Sequence, residues 1–312
     1  MRIPDLSKFL VAAIIAGFFM AVASDRCDGQ ELEPRRWSHL PLGTNIGGGG
    51  YTFSSGEIAF DPVLRLDDVE LDLHAGAFMY VRSFELLGKS ARIDFLQGYA
   101  DAKWSGLLNG VPASAHRIGW TDTNLRFAMQ LFGAPPLEGK EFADYRAAVA
   151  PCETIVGVGL AVRLPTGHYR EDKLLNLGTN RFTIRPQLGV VHNHGKWSME
   201  LTGSAWIFTE NNDFFGGGEL ENEPLFSLQG HVVYSIRPGL WLAAGAGYGW
   251  GAESTLNGVE KRDKKGNLVF GASLGIPINR QWGAKISYIG MRSQESVGID
   301  SDAVVVGFSF VW

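Results

Sequence analysis

Residues 181–192 of the chain read RFTIRPQLGVVH, and this stretch decides the fold class. Side chains of a β-strand point to opposite faces in turn, so a strand here presents one apolar face and one polar face. Residues 197–208, WSMELTGSAWIF, and residues 226–237, FSLQGHVVYSIR, alternate in the same way. The pattern predicts antiparallel strands whose two faces meet different surroundings.

The lengths of the connections distinguish a membrane barrel from a soluble β-sandwich, which also alternates. Outer-membrane barrels have short turns at one rim and long loops at the other. The short turns here are Gly88-Lys89, His194-Gly195-Lys196, Pro238-Gly239 and Asn279-Arg280. The long polar stretches are 54–69, 105–120, 165–179, 210–224, 252–266 and 293–301. One long connection, 133–151, lies on the short-turn side, and we expect a short helix over 138–150.

Tryptophans fall beside these connections, as expected for aromatic girdles at two membrane interfaces. The short-turn rim would carry Trp197, Trp241, Trp282 and Trp312, and the loop rim Trp104, Trp120 and Trp250. Trp241 shares strand parity with small residues, so its direction stays open.

The last residues alternate as well, and the chain ends on an aromatic side chain. This ending resembles the recognition signal of barrels that the outer-membrane assembly machinery inserts, with Gly307, Phe310 and Trp312 as the matching residues. It implies that machinery and outer-membrane lipid as partners.

Twelve strand segments can be counted, which makes the expected fold an all-β, transmembrane, antiparallel up-and-down β-barrel of about 12 strands. An even number would place both termini in the periplasm. The segments lie near 45–54, 70–85, 90–104, 121–132, 153–164, 180–192, 196–209, 225–237, 240–251, 267–277, 281–292 and 302–312.

The N-terminus is typical of a secretory signal peptide, residues 1–23, with Arg2 and Lys8 before an apolar run that ends in Ala21-Val22-Ala23. The run is too short to favour a transmembrane anchor. The predicted divisions are therefore the signal peptide, a periplasmic tail or lumen segment over 24–42, and an outer-membrane barrel over 43–312.

Composition agrees with a barrel and excludes other classes. The 40 glycines and 12% aromatic residues occur without further long apolar runs, as in membrane strands. The net charge of −5 argues against a nucleic-acid partner. Cys27 and Cys152 could form a disulfide in an oxidising compartment or remain separate thiols.

Charged side chains at predicted inward positions are the main candidates for a functional site. They are Asp72, His74, Arg82, Arg126, Gln130, Arg181, Arg185, Glu200, His231 and Lys285. Buried charges must be paired or hydrated. They could filter solutes in an open channel or form an ion-pair network that fills a narrow barrel.

Four other motifs carry less weight. Gly47–Gly50 lacks the features of a phosphate loop, and its glycines, like those at 157–159 and 245–251, favour close approach of an N-terminal segment to the wall. His192 and His194 lack a third metal ligand, and residues 210–213 do not follow a known calcium-loop spacing. No metal or other cofactor is expected.

An enzyme is the main alternative class. Ser227, His231 and Ser235 share one strand face, but that face points to the lumen and neither serine lies in a Gly-x-Ser-x-Gly motif. We therefore expect no catalytic residues. A structural or adhesive barrel without a pore is a further alternative.

Short motifs in a fixed order resemble the outer-membrane transporter family of the MetA pathway of phenol degradation. The most specific is Asn176-Leu177-Gly178-Thr179-Asn180-Arg181, and others include Pro41–Asn45, Phe60-Asp61-Pro62, Leu131–Pro135 and Pro165–Tyr169. Trp120–Thr123 departs from the Gly-Asp-Pro turn expected there. The resemblance implies passive passage of small hydrophobic or aromatic compounds.

Overall fold

The computed structural model describes residues 32–60 and 66–312, which contain 17 strands and one helix. The predicted signal peptide and Cys27 lie outside the described residues. The strands are β1 (Asn45–Ala59), β2 (Leu66–Leu86), β3 (Lys89–Leu108), β4 (Val111–Trp120), β5 (Thr123–Phe132), β6 (Cys152–Leu164), β7 (Thr183–His194), β8 (Trp197–Phe208), β9 (Asn211–Phe214), β10 (Gly218–Asn222), β11 (Leu225–Arg237), β12 (Leu240–Gly251), β13 (Ser254–Leu256), β14 (Val259–Glu260), β15 (Lys265–Pro277), β16 (Trp282–Ser293) and β17 (Gly298–Val311); the helix is α1 (Gly139–Ala148). Within these residues no helix is long and apolar enough to cross a membrane.

Twelve strands form a closed antiparallel ring, as the sequence predicted. The order around the ring is β2, β1, β17, β16, β15, β12, β11, β8, β7, β6, β5 and β3, and β3 pairs back with β2. The first and last strands of the ring pair at the seam between β1 and β17, where Asn45 and Trp312 exchange backbone hydrogen bonds of 3.1 and 3.0 Å. The expected helix in the long periplasmic connection is confirmed as α1.

Three predicted loops contain strands. The stretch 105–120 is a hairpin, because β4 pairs with the outer half of β3 around a turn at Asn109-Gly110, where both residues have positive φ. Asn-Gly is the strongest short hairpin signal, and it outweighs the polar composition. The stretches 210–224 and 252–266 pair with each other as a separate sheet of β9, β10, β13 and β14.

Apolar side chains of the ring face outward and polar ones inward, as the alternation predicted. On β8, for example, Leu201 is 51% exposed whereas Thr202 is 3% exposed. Among the tryptophans, Trp104 and Trp241 are buried inward and do not belong to the girdles. The outward tryptophans are Trp120, Trp197, Trp250, Trp282 and Trp312.

The placement of Asp72, His74 and Arg82 in the lumen was wrong. All three are exposed on the outer face of β2, and Tyr51 and Asn45 on the neighbouring strand contact His74 and Arg82 respectively. β2 has 21 residues, about twice the length that crosses a bilayer, so charges near its ends meet water on the outside. The inward positions of β2 are instead apolar: Val69, Leu71, Leu73, Ala75, Ala77, Met79 and Val81.

Candidate functional site

Residues 32–42 lie inside the ring, and they enter at the periplasmic rim. The Leu42 N–H donates to the Leu137 carbonyl at 2.8 Å, and the Ser83 hydroxyl donates to the Pro41 carbonyl at 2.5 Å. Thr44 donates to the same carbonyl at 2.7 Å. These bonds fix the point at which the N-terminal segment, residues 32–42, turns away from β1.

Trp37 anchors the N-terminal segment in a slot of glycines on β6 and β7. A Cβ atom added to Gly189 would lie 2.0 Å from Trp37 Nε1, and one added to Gly157 would lie 2.6 Å from the same ring. The indole N–H donates to the Thr202 hydroxyl at 2.9 Å, and the Gln130 amide donates to the Trp37 carbonyl at 2.9 Å. Glycine at 157 and 189 is therefore a packing requirement of the filled lumen.

The expected role of glycine holds at some positions only. Gly159 also contacts Trp37, which agrees with close approach of an N-terminal segment. Gly48 instead faces Phe308 and Met79, and Gly245 faces His231. At those positions the space beside the glycine is occupied by atoms of the neighbouring strands and not by the N-terminal segment.

Arg126 is the centre of a buried charge cluster beneath Trp37. Its guanidinium donates to Asp94 at 3.0 Å and to the Gln187 side chain at 2.9 Å, and it lies 4.9 Å from the centre of the Trp37 ring. Arg92 also donates to Asp94, at 2.8 Å. A buried charge is tolerated when it is paired in this way.

Glu200 holds the next turn of the N-terminal segment. Its carboxylate accepts the Arg35 N–H at 2.7 Å, and the Arg35 guanidinium lies 5.4 Å from the Trp241 ring centre. Lys285 and His231 are buried on the same inner surface. Of the predicted lumen charges, Arg126, Glu200, His231 and Lys285 are thus buried on the inner surface of the barrel.

The opposite side of this layer is apolar. Leu32 and Leu40 of the N-terminal segment join one buried cluster with Ile46, Met79, Val81, Leu96, Val269, Ile289, Val305 and Val311. The apolar side chains of the segment therefore belong to a cluster with β1, β2, β3 and β15 to β17, and Arg35 and Trp37 bond to β5 and β8. This cluster includes Met79 and Val81 of the apolar inner face of β2.

Helix α1 closes the periplasmic rim beneath the N-terminal segment. Phe142 is fully buried and its ring lies 4.7 Å from the ring of His39, which also contacts the Pro135 carbonyl at 2.8 Å. Burial lowers the pKa of His39 to about 4. The helix is held to β6 because Tyr145 and Arg146 both donate to Glu153.

The loop between β6 and β7 folds over the extracellular end of the barrel, and Asp122 fixes it. One carboxylate oxygen accepts the Gly167 N–H at 2.8 Å, and the other accepts the Thr179 N–H at 2.9 Å. These residues belong to the two most recognisable motifs of the loop. Residues 120–123 depart from the turn that the family resemblance implies, but they include Asp122. Its carboxylate binds both the Gly167 and the Thr179 motif.

A cavity of about 310 Å³ lies under this loop, at the extracellular end. One wall is apolar and comes from inward residues of β1, β2, β3 and β17: Ile58, Leu71, Leu73, Trp104 and Ile299. Leu174, Leu175 and Leu177 of the loop and Phe214, Phe215 and Leu220 of the small sheet cover it. Sequence analysis missed this site because each covering segment is short, mostly polar and distant from the others in the chain.

The cavity also has a polar lining. It contains Asn222, Ser254, Lys261, Asp263, Lys265 and Asn267, together with Arg181. Arg181 donates to Asn222 and lies 4.5 Å from the Phe208 ring centre. Arg185 lies two inward positions further along the chain, on β7, and 4.7 Å from the Trp206 ring centre. Of the predicted site residues, only Arg181 lines the cavity.

The other residues that the sequence singled out as possible metal-binding or catalytic groups make contacts within the protein. His192 contacts Thr154 at 2.9 Å, and in the described ranges no group of three His, Cys, Asp or Glu could hold a metal. Asn211 bonds to Tyr169 and Thr179 and fixes the loop. Ser227 contacts the Ser204 hydroxyl at 3.1 Å. Cys152 is an exposed free thiol.

The assembly-signal residues lie at the seam of the barrel. Phe310 and Trp312 face outward and stack at 5.6 Å, and Trp282 lies 5.0 Å from Phe310. Gly307 faces inward on β17. Their role as a recognition signal remains a prediction.

Similarity to solved structures is high for one outer-membrane channel and low for two autotransporter domains. The crystal structure of an outer membrane channel from Pseudomonas putida F1 superposes with a TM-score of 0.76 at 22% identity, over 90% of this chain and 100% of that one. The transport unit of the autotransporter AIDA-I from Escherichia coli has a TM-score of 0.47 at 9% identity, over 99% of both chains. The β-domain of the Bordetella autotransporter BrkA has a TM-score of 0.45 at 11% identity, over 86% of this chain and 99% of that one.

No curated protein matches the sequence. A family model does match, over residues 43–294, which is most of the ring. The chain has the fold of an outer-membrane channel, and it belongs to the family described as "Putative MetA-pathway of phenol degradation".

Proposed function

We propose that the protein is a channel for passive passage of small hydrophobic or aromatic compounds across the outer membrane. The extracellular cavity is the observation that carries this proposal. Part of its lining is apolar, and a cavity of about 310 Å³ is at the small end of the range for small-molecule sites. Burial of an apolar solute there is favourable in proportion to the area removed from water.

The inner face of β2 supports a route from the cavity toward the periplasm. Leu71 and Leu73 line the cavity, and the next inward positions along the same strand are Ala75, Ala77, Met79 and Val81. An apolar solute could follow this strip without contacting the charged side of the lumen. Leu32 and Leu40 join the same buried cluster as Met79 and Val81, so the N-terminal segment must shift for passage.

The contacts of the N-terminal segment with the barrel wall favour a gated channel and argue against a pore that is always open. Trp37, Arg126 and Glu200 hold the segment by hydrogen bonds and ring contacts that an apolar solute cannot replace. Arg126 and Glu200 then act on the gate and do not contact the solute, whereas Arg181 lines the cavity. Catalysis has no part in this proposal, since the relatives in structure are channels and transport domains.

Uptake measurements test the proposal directly. Gram-negative cells that express the protein would be given radiolabelled naphthalene, whose entry the lipopolysaccharide layer slows. Leu73→Gln places an amide in the apolar wall and should reduce the protein-dependent initial rate at least about fivefold, equivalent to about 1 kcal/mol.

Two matched variants control this experiment. Leu73→Met conserves an apolar side chain of similar volume and should keep the rate. His74→Gln changes the adjacent, outward-facing residue and should also keep it. Equal uptake by all variants and by cells without the protein would refute the proposed function.

A further inference from the structure

The two walls of the extracellular cavity differ in charge as well as in polarity. Of the described residues that line it, Arg181, Lys261 and Lys265 are cationic and Asp263 is anionic. The lining thus carries three positive charges against one negative charge, whereas the whole chain has a net charge of −5. A local excess of one sign in a concave, low-dielectric surface raises the concentration of ligands with the opposite sign.

The one acidic side chain already has partners within the protein. Asp263 accepts the Ser254 N–H at 2.7 Å and the Ser254 hydroxyl at 2.8 Å, and it lies 3.7 Å from Lys265 Nζ. Asp263 therefore links the segment before β15 to the start of β13, and its charge offsets that of Lys265. A cationic excess remains on the polar wall.

The charged and the apolar lining residues come from different elements. Lys261 and Lys265 come from the segment that leads into β15, while Leu71, Trp104 and Ile299 come from β2, β3 and β17. A ligand that fills the cavity would meet both apolar carbon and ammonium groups. Such a division matches an amphipathic molecule better than a pure hydrocarbon.

We infer that the cavity selects small amphipathic carboxylates, with the apolar body against Leu71, Trp104 and Ile299 and the carboxylate toward Lys261 and Lys265. This inference rests on the proposed function and names the class of solute that the channel takes. Charge-assisted hydrogen bonds from ammonium groups to a carboxylate are stronger than those to a neutral hydroxyl.

Binding of a matched ligand pair tests the inference. The protein would be placed in lipid nanodiscs, and titration calorimetry would compare 4-butylbenzoate with 4-butylbenzyl alcohol, with empty nanodiscs as the blank. The native protein should bind the carboxylate at least about tenfold more tightly, the effect of one charge-assisted hydrogen bond.

Variants assign the preference to the cavity. Lys261→Gln combined with Lys265→Gln should abolish the tenfold preference and leave the affinity for the alcohol unchanged. The corresponding double arginine variant should keep the preference, and so should Lys103→Gln, which removes an exposed charge on the outer face of β3.

Each contrary result has a distinct meaning. Equal binding of both ligands by the native protein, or a preference that survives the double glutamine variant, would overturn the inference and leave the proposed hydrophobic route intact. Binding of neither ligand would overturn both the inference and the cavity as the entry site of the proposed function.

Discussion

The lower lumen and the extracellular cavity are lined by inward residues of the same barrel, but they are occupied differently. In the lower lumen, residues 32–42 fill the space and satisfy buried polar groups such as Thr202 and Glu200. The extracellular cavity keeps a volume of about 310 Å³ between an apolar and a cationic wall. The comparison shows that buried charges such as Arg126 and Glu200 bind other parts of the same chain. The space large enough for a ligand lies where the extracellular loops meet the strands.

The largest expected effect comes from breaking the buried charge cluster of the lower lumen. Arg126→Met leaves Asp94 buried with only Arg92 as a charged partner, and it should cost about 3–5 kcal/mol of unfolding free energy. Urea unfolding in lipid vesicles, followed by tryptophan fluorescence, would measure this change.

Arg82→Met is the matched control, because Arg82 is exposed on the outer face of β2. Its unfolding free energy should stay within about 0.5 kcal/mol of the native value. Equal losses for both variants would show that burial does not distinguish the two arginines.

A smaller effect is expected from overfilling the glycine slot. Gly189→Ala places a Cβ 2.0 Å from Trp37 Nε1 and should cost about 1–3 kcal/mol, while it loosens the N-terminal segment. Limited proteolysis of this segment should become faster.

Gly203→Ala is the control for the slot. Gly203 lies on β8 beside Leu188, the neighbour of Gly189, and an added Cβ would meet nothing within 4 Å. Protection from proteolysis should be unchanged. Similar proteolysis rates for Gly189→Ala and the native protein would place Trp37 outside the slot.

The smallest effect concerns pH at the periplasmic rim. Burial lowers the pKa of His39 to about 4, whereas a released segment would titrate at about 6.5. As the pH falls below about 6.5, only the released form gains a proton, so docking weakens progressively and the loss is complete below about pH 4. Docking is therefore strongest above pH 6.5.

Proteolysis of the N-terminal segment at pH 7.5 and pH 5 would show this dependence, with a protease whose own rate at each pH is calibrated. The native protein should be cleaved faster at pH 5, and His39→Gln should remove that difference. The variant His74→Gln, on the outer face, should behave as the native protein does. A pH response that persists in His39→Gln would assign it to another group.

The sequence predicted the ring well because its signal is local. Alternation in residues such as Leu201 and Thr202 follows directly from strand geometry, and twelve segments were found at nearly their observed bounds. The expectation that glycine allows close approach of an N-terminal segment also held at Gly157, because a residue without a side chain leaves space on either face of a strand.

Other features could not be predicted because they depend on distant contacts. The inward face of β2 was inverted, since Asp72 and Arg82 lie near the ends of a strand that extends beyond the bilayer. The cavity joins Leu73, Leu175 and Phe214 from three parts of the chain, and none of these segments has a pattern that indicates the other two. Trp37 lies in a segment without alternation of polar and apolar residues, so no pattern in the sequence indicated that its side chain is buried.

The central claim is that residues 32–42 close the lower lumen, and single-channel conductance in planar bilayers tests it most directly. Trp37→Ala removes the anchor from its slot, and Trp197→Ala removes an outward girdle residue as the control. The account predicts mostly silent traces for the native protein and Trp197→Ala, and frequent stepwise currents for Trp37→Ala. Equal conductance in all three proteins, with insertion verified, would contradict it.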